Sequence, residues 1–287
     1  MSTPPFLDLP PGAEPVSMPA VRGHLAALAA EPSQRRGRPG GAPVLLVPGF
    51  TGSKEDFIAV LAPIADAGHR VVALDLRGQY ESSGDGDPSS YDVKALAEDV
   101  LAVARHVGEP VHLVGHSFGG LVARAAALGD PGALRSLTML SSGPAAVPHP
   151  SASNLELIAR ALPVMDLESI WTAKRQMEAH HETDLPPPDI EDFLHRRFVA
   201  SSPVGLLRLA EQLLTEEDRV DELAMVDLPV LVAYGPGDDA WPPALQAEMA
   251  RRLGARVAVI DGAGHSPAAE QPAATVAALV EFWSSVT

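Results

Sequence analysis

The sequence predicts an α/β protein whose central sheet is mostly parallel and carries helices on both faces. Three observations support this fold class. Short apolar runs alternate with helical patterns over residues 43–143 and again over residues 228–286. The apolar runs are nearly continuous, as in strands that are buried on both faces. Between these two parts, residues 144–226 carry helical patterns and no strand pattern.

In the first alternating part, each apolar run ends at a turn signal. The run "PVLLVPG" stops at Pro-Gly, and the helical patterns stop at Gly68 and Gly108, which are typical C-terminal signals. Before it, "RGHLAALAA" fits either a strand or a helix, and "PSQRRGRPGG" indicates an exposed loop. Predicted strands occupy 43–49, 70–78, 111–117 and 134–143, and predicted helices occupy 55–68, 91–108 and 121–131.

The middle part predicts helices separated by proline clusters such as "LPPPD". Ser202 before Pro203 is typical of an N-cap followed by proline at the first helical position. The alternation returns after residue 226. In the middle part the predicted helices are 154–162, 167–181, 189–200 and 203–214, and in the last part strands 228–235 and 255–264 alternate with helices 243–254 and 271–286.

Composition excludes several classes of function. The formal net charge is -16, so a polyanion such as nucleic acid would be repelled. There is no cysteine, which excludes disulfides, thiol nucleophiles and thiolate metal sites. No apolar stretch reaches membrane-spanning length, and the N-terminus lacks the basic start and apolar run of a secretory signal. We therefore expect a soluble, cytoplasmic protein that is not bound to a membrane.

A serine stands where one predicted strand ends, in "VHLVGHSFGG". Ser117 is flanked by Gly115 and Gly119, and a sharp strand-to-helix turn needs glycines there because neighbouring backbone comes close. Ligand chemistry in a parallel sheet lies at the carboxyl ends of the strands. The strand before and the small-residue helix after Ser117 favour a nucleophile over an ordinary turn serine.

A serine nucleophile needs a histidine base that a carboxylate orients. His265 follows the last predicted strand in a Gly-rich loop, again at a carboxyl end. His116 adjoins Ser117, but neighbouring side chains on an extended segment point to opposite sides. His180 and His181 are adjacent on a predicted helix and do not face one ligand. We therefore predict no metal site.

The carboxylate is expected in "VLVAYGPGDDAWPP", just past a strand end. The residues alone leave Asp238 and Asp239 as alternatives for the partner of His265. The earlier strand that ends in "MLSSGP" offers no carboxylate. In chain order the three groups are then serine, aspartate and histidine.

This order, on a parallel sheet with a helical insertion, resembles the α/β-hydrolase superfamily over residues 43–285. "GHSFGG" is similar to the nucleophile elbow of that superfamily, and "GAGHSP" to its Gly-x-x-His loop. "GPGDDAWP" resembles its Gly-x-x-Asp-x-x-x-Pro pattern, which selects Asp238 because Gly235 and Pro242 stand at the matching distances. "DLRGQYESSG" resembles its Asp-x-Arg-Gly-x-Gly-x-Ser loop, with Gln79 and Tyr80 in place of the usual small or His residues.

The resemblance implies an α/β-hydrolase fold with a core of residues 1–143 and 227–287 and a helical cap of residues 144–226. It implies an oxyanion hole made by the backbone amides of Phe118 and Phe50. In "VPGFTGSKEDF", Pro48 stands where the family often has a histidine. Trp171 and Met177 in the cap, and Trp241 beside Asp238, are candidates for the wall of an apolar substrate pocket.

The expected activity is hydrolysis of carboxylic esters of small to medium apolar substrates, without a cofactor. Lactones, thioesters, C–C bonds and perhydrolysis use similar sites and remain alternatives. A Ser at position 117 argues against the haloalkane dehalogenases and epoxide hydrolases of the family, which place Asp there. A rival of another class is a small-molecule-binding protein that keeps the fold without turnover. The expected partner is a small ester-like molecule, and the chain is expected to be a monomer or homodimer.

Overall fold

The computed structural model describes residues 2–32, 41–108, 110–178 and 186–286. Strands from these ranges form one sheet, in which the first two neighbour pairs are antiparallel and the remaining pairs are parallel. The strands are β1 (Ala13–Ala20), β2 (Gly23–Ala30), β3 (Gly41–Val47), β4 (His69–Leu74), β5 (Val111–His116), β6 (Leu134–Leu140), β7 (Val230–Tyr234) and β8 (Arg256–Val259). Their order in the sheet is β1-β2-β4-β3-β5-β6-β7-β8, so the predicted mostly parallel sheet is confirmed.

Helices cover both faces of the sheet because successive side chains of a buried strand point in opposite directions. In β3, Leu45 and Val47 join an apolar cluster on one face of the sheet, while Val44 and Leu46 join a second cluster on the other face. The helices of the core are α1 (Ile58–Asp66), α2 (Val93–Val107), α3 (Phe118–Gly129), α9 (Pro243–Leu253), α10 (Pro267–Glu270) and α11 (Pro272–Ser284), with 3-10 turns at Lys54–Phe57, Pro88–Tyr91 and Pro131–Ala133.

Residues 144–226 connect β6 to β7 and, where described, form helices only, as predicted. Their apolar faces make a third cluster of their own, which includes Ile170, Phe193 and Phe198. Ser202 caps the fourth of these helices by accepting a hydrogen bond from the Gly205 amide. The helices are α4 (Ser153–Ala161), α5 (Leu167–Glu178), α6 (Pro188–Val199), α7 (Pro203–Thr215) and α8 (Val220–Ala224). We refer to residues 144–226 as the helical insertion.

The structure differs from the expectation chiefly at the start of the chain. "RGHLAALAA" is strand β2, and it pairs with β1, which the pattern did not predict. Pro15 and Pro19 obscure the strand pattern of β1, but proline is tolerated there because β1 lies at the edge of the sheet. Most of the predicted loop at 32–41, and the pair His180 and His181, lie outside the described residues.

The short helix α8 was also missed, since five residues are too few to show helical periodicity. Gly68 and Gly108 end their segments with positive φ angles of 101° and 92°, as expected for C-terminal glycines.

Within the part of the chain that the structure describes, no helix has the length and apolar character needed to cross a membrane.

Candidate active site

Ser117 lies at the turn between β5 and α3, with φ 55° and ψ -121°. A non-glycine residue with positive φ is strained, and a hydrogen bond from its amide to the Leu140 carbonyl (2.9 Å) ties the turn to β6. A Cβ at Gly115 would collide with the backbone of Gly119. A Cβ at Gly119 would collide with the carbonyl oxygens that follow β3. Both glycines are therefore required by close backbone approach, as the sequence indicated.

The structure brings Ser117, His265 and Asp238 into one hydrogen-bonded row. Nε2 of His265 lies 3.0 Å from Oγ of Ser117, and Nδ1 of His265 lies 2.9 Å from Oδ1 of Asp238. The serine is 7% exposed, and the side chain of His265 is 26% exposed while that of Asp238 is fully buried. With the Nδ1 proton donated to the carboxylate, Nε2 is left free to accept the serine proton.

Both oxygens of the Asp238 carboxylate are hydrogen-bonded. Oδ1 also accepts from the amides of Ala240 (3.0 Å) and Trp241 (3.3 Å), and Oδ2 accepts from Nε2 of Gln246 (2.8 Å). Burial alone would raise the pKa of this carboxyl, but the hydrogen bond and charge of His265, with the donors from Gln246 and Ala240, hold the pKa below its ordinary value. Asp238 therefore stays ionised beside the imidazole.

The backbone of His265 is held on both sides. The Glu270 carboxylate accepts hydrogen bonds from the amides of Gly264 and Ser266. Nε2 of His116 donates to the carbonyl oxygen of His265, at 2.7 Å. Burial lowers the pKa of His116 to about 3, with a further contribution from the charge of His265, so His116 is neutral and carries its proton on Nε2. These contacts fix the loop that carries the imidazole.

Two backbone amides next to Ser117 have no backbone partner among the described residues. They belong to Phe118, the first residue of α3, and to Phe50, in the loop after β3. The loop approaches the serine closely, since a Cβ at Gly49 would lie 2.9 Å from Cβ of Ser117. The N-terminus of α3 favours negative charge at this position. The use of these two amides as an oxyanion hole stays a prediction.

The three residues proposed for a pocket wall lie in different environments. Trp241 is fully buried, its Nε1 donates to the Ala145 carbonyl (3.1 Å), and its ring centroid lies 6.3 Å from that of His265. Trp171 packs on Phe198 within the helical insertion. Met177 is 54% exposed near the end of α5. Of these three residues, Trp241 is the one with a ring contact to a member of the Ser117–His265–Asp238 row.

A cavity among the described residues lies away from the Ser117–His265–Asp238 row. It has a volume of about 350 Å³ and includes none of the three residues of that row. It lies between the loop after β4 and the start of α7, and it is lined by Gly78, Tyr80, Glu81, Ser82, Ser83, Gly84, Asp85, Ala200 and Ser202.

One trio among the described residues has the side chains for a metal ion. Potential ligand atoms of Asp238, Asp239 and His265 lie within 4.8 Å of one another. Both nitrogens of His265 are already engaged, one by a carboxylate and one by a hydroxyl. The geometry therefore fits a proton relay between side chains better than metal coordination.

Sequence reasoning missed Gln246 and Glu270, which hold the aspartate and the histidine loop. Gln246 lies on α9 and Glu270 on α10, and each is a polar residue in a helix that directly follows the loop of the residue it contacts. That position is the signal in the sequence, but a glutamine or glutamate in a helix is ordinarily solvent-exposed. The contacts of Gln246 and Glu270 depend on the folded conformation of the two loops and are not visible in the sequence.

Comparison with known proteins identifies the family of the chain. The model of the alpha/beta hydrolase family matches residues 44–279. The chain therefore belongs to the alpha/beta hydrolase family. Its fold is also that of the solved esterase from Thermogutta terrifontis, with a TM-score of 0.73 and 25% identity over 95% of this chain and 99% of that one.

Relatives at the sequence level carry several activities in their names. A pimeloyl-[acyl-carrier protein] methyl ester esterase of Aeromonas hydrophila is 30% identical over 74% of this chain and 84% of its own. A non-heme haloperoxidase of Rhodococcus erythropolis is 28% identical over 78% of this chain and 86% of its own. Three further relatives align over only 28 to 38% of their own length. The family supports a hydrolytic function and leaves the substrate open.

Proposed function

We propose that the protein is a serine hydrolase that cleaves carboxylic esters of small to medium apolar substrates. The observation that carries the proposal is the continuous hydrogen-bonded row from Ser117 through His265 to Asp238, at 3.0 and 2.9 Å. A serine hydroxyl is a weak nucleophile until a positioned base takes its proton. The esterase relatives, including the pimeloyl methyl ester esterase, support a carboxylic ester as the substrate.

In the proposed mechanism, Oγ of Ser117 attacks the ester carbonyl and its proton passes to Nε2 of His265. The amides of Phe50 and Phe118 bind the oxygen that becomes negatively charged. His265 then gives the proton to the leaving alcohol, and the acyl group stays on Ser117. Water, deprotonated by His265, attacks the acyl-enzyme, and His265 returns that proton to Oγ of Ser117 as the acid is released. Asp238 holds the imidazole tautomer and stabilises the imidazolium during both acylation and deacylation.

We also propose that the helical insertion is a cap and that it makes the binding site apolar. It leaves the sheet at the carboxyl end of β6, the edge that also carries Ser117. Phe50, beside the serine, packs against both the sheet core and the cluster of the insertion. A site enclosed by Phe50 and by apolar side chains of the helical insertion would favour an uncharged, apolar acyl or alcohol group.

The haloperoxidase relative favours one second candidate. With hydrogen peroxide in place of water, attack on the acyl-enzyme would release a peracid through the same residues. The two activities are distinguished by assaying peracid formation from acetate or acetate esters in peroxide.

The test compares two serine variants with p-nitrophenyl acetate and butyrate. We expect Ser117→Ala to lower kcat at least 10³-fold, because alanine has no hydroxyl to attack the ester carbonyl. Ser136→Ala is the matched control, since Ser136 is also buried and also contacts a histidine, and it should retain wild-type kcat within about threefold. Undiminished turnover by folded Ser117→Ala would refute the proposal and favour a binding protein with contaminating activity.

A further inference from the structure

Gln79 is buried against the loop that carries Phe50. It is 1% exposed and lies in the loop after β4, where the sequence departs from the family pattern. Its Oε1 accepts a hydrogen bond from the Leu76 amide (3.1 Å), and its Nε2 donates to the Gly49 carbonyl (2.8 Å). Gln79 thus joins two loops that are 30 residues apart in the chain.

The bond to Gly49 acts on the peptide that contains the Phe50 N–H. The carbonyl of Gly49 and the N–H of Phe50 belong to one planar trans peptide, so they point in opposite directions. The same carbonyl also accepts from the Gly52 amide (3.1 Å). Two donors on one side therefore turn the Phe50 N–H to the other side. Gly49 itself lies against Ser117.

The loop needs such an anchor because its backbone is strained. Thr51 has a φ of 56°, and a β-branched residue with positive φ is an outlier that the surroundings must hold in place. The hydroxyl of Thr51 bonds to the Phe50 carbonyl, at 2.6 Å. Pro48, on the other side of Gly49, has neither a backbone N–H nor a polar side chain. Gln79 supplies the side-chain hydrogen bond that position 48 lacks.

We propose that Gln79 is a positioning residue for the oxyanion hole, which it serves by fixing the Gly49–Phe50 peptide. This inference rests on the proposed serine hydrolase function. The Phe50 amide would bind the charged oxygen of the transition state more strongly than the neutral carbonyl of the substrate. Loss of the Gln79 bond therefore lowers kcat and leaves KM nearly unchanged.

Two substitutions separate the two hydrogen bonds of Gln79. Gln79→Met removes both at nearly constant volume. Gln79→Glu keeps the acceptor for Leu76 but, once ionised, has no proton to give to Gly49. Ser83→Ala is the control, because Ser83 is an exposed residue of the same loop. Activity is measured at pH 9 with p-nitrophenyl butyrate, per folded molecule as judged by circular dichroism and thermal unfolding.

We expect both Gln79 variants to lower kcat about 10- to 100-fold, less than the 10²- to 10³-fold typical of deleting an oxyanion donor. KM should stay within about threefold, and Ser83→Ala should match the wild type. In Gln79→Glu, kcat relative to that of the wild type at the same pH should recover as the pH falls and the introduced carboxyl gains a proton to donate. A purely structural role of Gln79 would lower stability without this change in pH profile.

The inference is overturned if both variants keep wild-type kcat. It is also overturned if only Gln79→Met is impaired at pH 9, since the Leu76 contact would then explain the loss. Should Gln79→Met fail to fold, Gln79→Glu alone decides the question. Ser117→Ala in the same assay separates the two levels: an active Ser117→Ala refutes the proposed function, whereas an inactive one beside fully active Gln79 variants refutes only the role of Gln79.

Discussion

Two serine–histidine pairs lie at opposite ends of the same sheet. At the carboxyl end, Oγ of Ser117 lies 3.0 Å from Nε2 of His265. At the amino end, Oγ of Ser136 lies 2.7 Å from Nδ1 of His112. The second contact is the shorter one, and its residues are neighbours on the paired strands β5 and β6. A serine–histidine hydrogen bond alone therefore does not distinguish a nucleophile from a core contact.

The surroundings of the two histidines differ. His265 has a buried carboxylate on its other nitrogen, whereas His112 packs against Trp283 and His69, with ring centroids 5.2 and 5.7 Å away. Burial lowers the pKa of His112 to about 3, with smaller contributions from the charges of His69 and Arg135. A histidine with so low a pKa is a poor proton acceptor.

The two serines differ as well. Ser117 is at a strained turn with φ 55° and two unpaired amides beside it, while Ser136 is inside a regular strand. Besides the hydrogen bond, the Ser117 pair therefore has an ionised orienting carboxylate, a strained turn and the N-terminus of α3, which favours negative charge. The differences in the surroundings of the two histidines give three testable predictions.

The largest effect is expected from the two histidines. His265→Gln should lower kcat roughly 10⁴- to 10⁶-fold, because it removes the base from Ser117. His112→Gln, the same substitution at the other pair, should keep kcat within about threefold. Steady-state kinetics with p-nitrophenyl butyrate check both. Equal losses in the two variants would contradict the distinction between the pairs.

The next effect is expected from the carboxylate that only the first pair possesses. Asp238→Asn should lower kcat roughly 10⁴-fold while the protein stays folded, because the imidazole loses its orienting charge and can adopt the wrong tautomer. Asp239→Asn is the matched control and should retain most activity. A larger loss in Asp239→Asn would transfer the role to the neighbouring residue.

The smallest expected effect concerns the Ser136–His112 pair and is a change in the free energy of unfolding with pH. The folded-state pKa of His112 is about 3, against an ordinary value of 6.5. The unfolded chain therefore binds a proton that the folded chain does not as the pH falls below 6.5, and stability is lost on the acid side. At pH 5 this loss amounts to about 2 kcal/mol.

Urea unfolding of the wild type and of His112→Gln at pH 7.5 and pH 5 measures the contribution of His112 to this loss of stability. The variant should lose about 2 kcal/mol less than the wild type over that interval. His116 remains in both proteins, so its own acid sensitivity cancels in the difference. An identical loss in the two proteins would show that His112 accepts a proton in the folded state.

Features of the candidate site that depend on local backbone conformation could be predicted from the sequence. Gly115 and Gly119 flank the strained serine, and this feature lies within a few residues along the chain. Strand ends placed His265 and two adjacent aspartates at one edge of the sheet, and the family resemblance selected Asp238 from the two. The fold class followed from the same strand and helix rhythm. Strand β1 was missed because edge position, which makes its prolines acceptable, is a property of the assembled sheet.

The supporting contacts required the fold itself. Gln79 reaches Gly49, and His116 reaches the His265 carbonyl, across 30 and 149 residues of chain. Trp241, suggested as a pocket wall, has its ring packed against Gly143 and its Nε1 bonded within the helical insertion. Sequence separation of this size carries no pairing signal in a single chain, so these roles became visible only from contacts.

Labelling with a fluorophosphonate tests the central claim most directly. The reagent forms a covalent bond only with an activated serine, and peptide mapping by mass spectrometry identifies the residue. We predict one adduct at Ser117, none at Ser136, and no adduct at either site in folded His265→Gln. An unlabelled folded wild type, or labelling of Ser117 that persists without His265, would contradict the account.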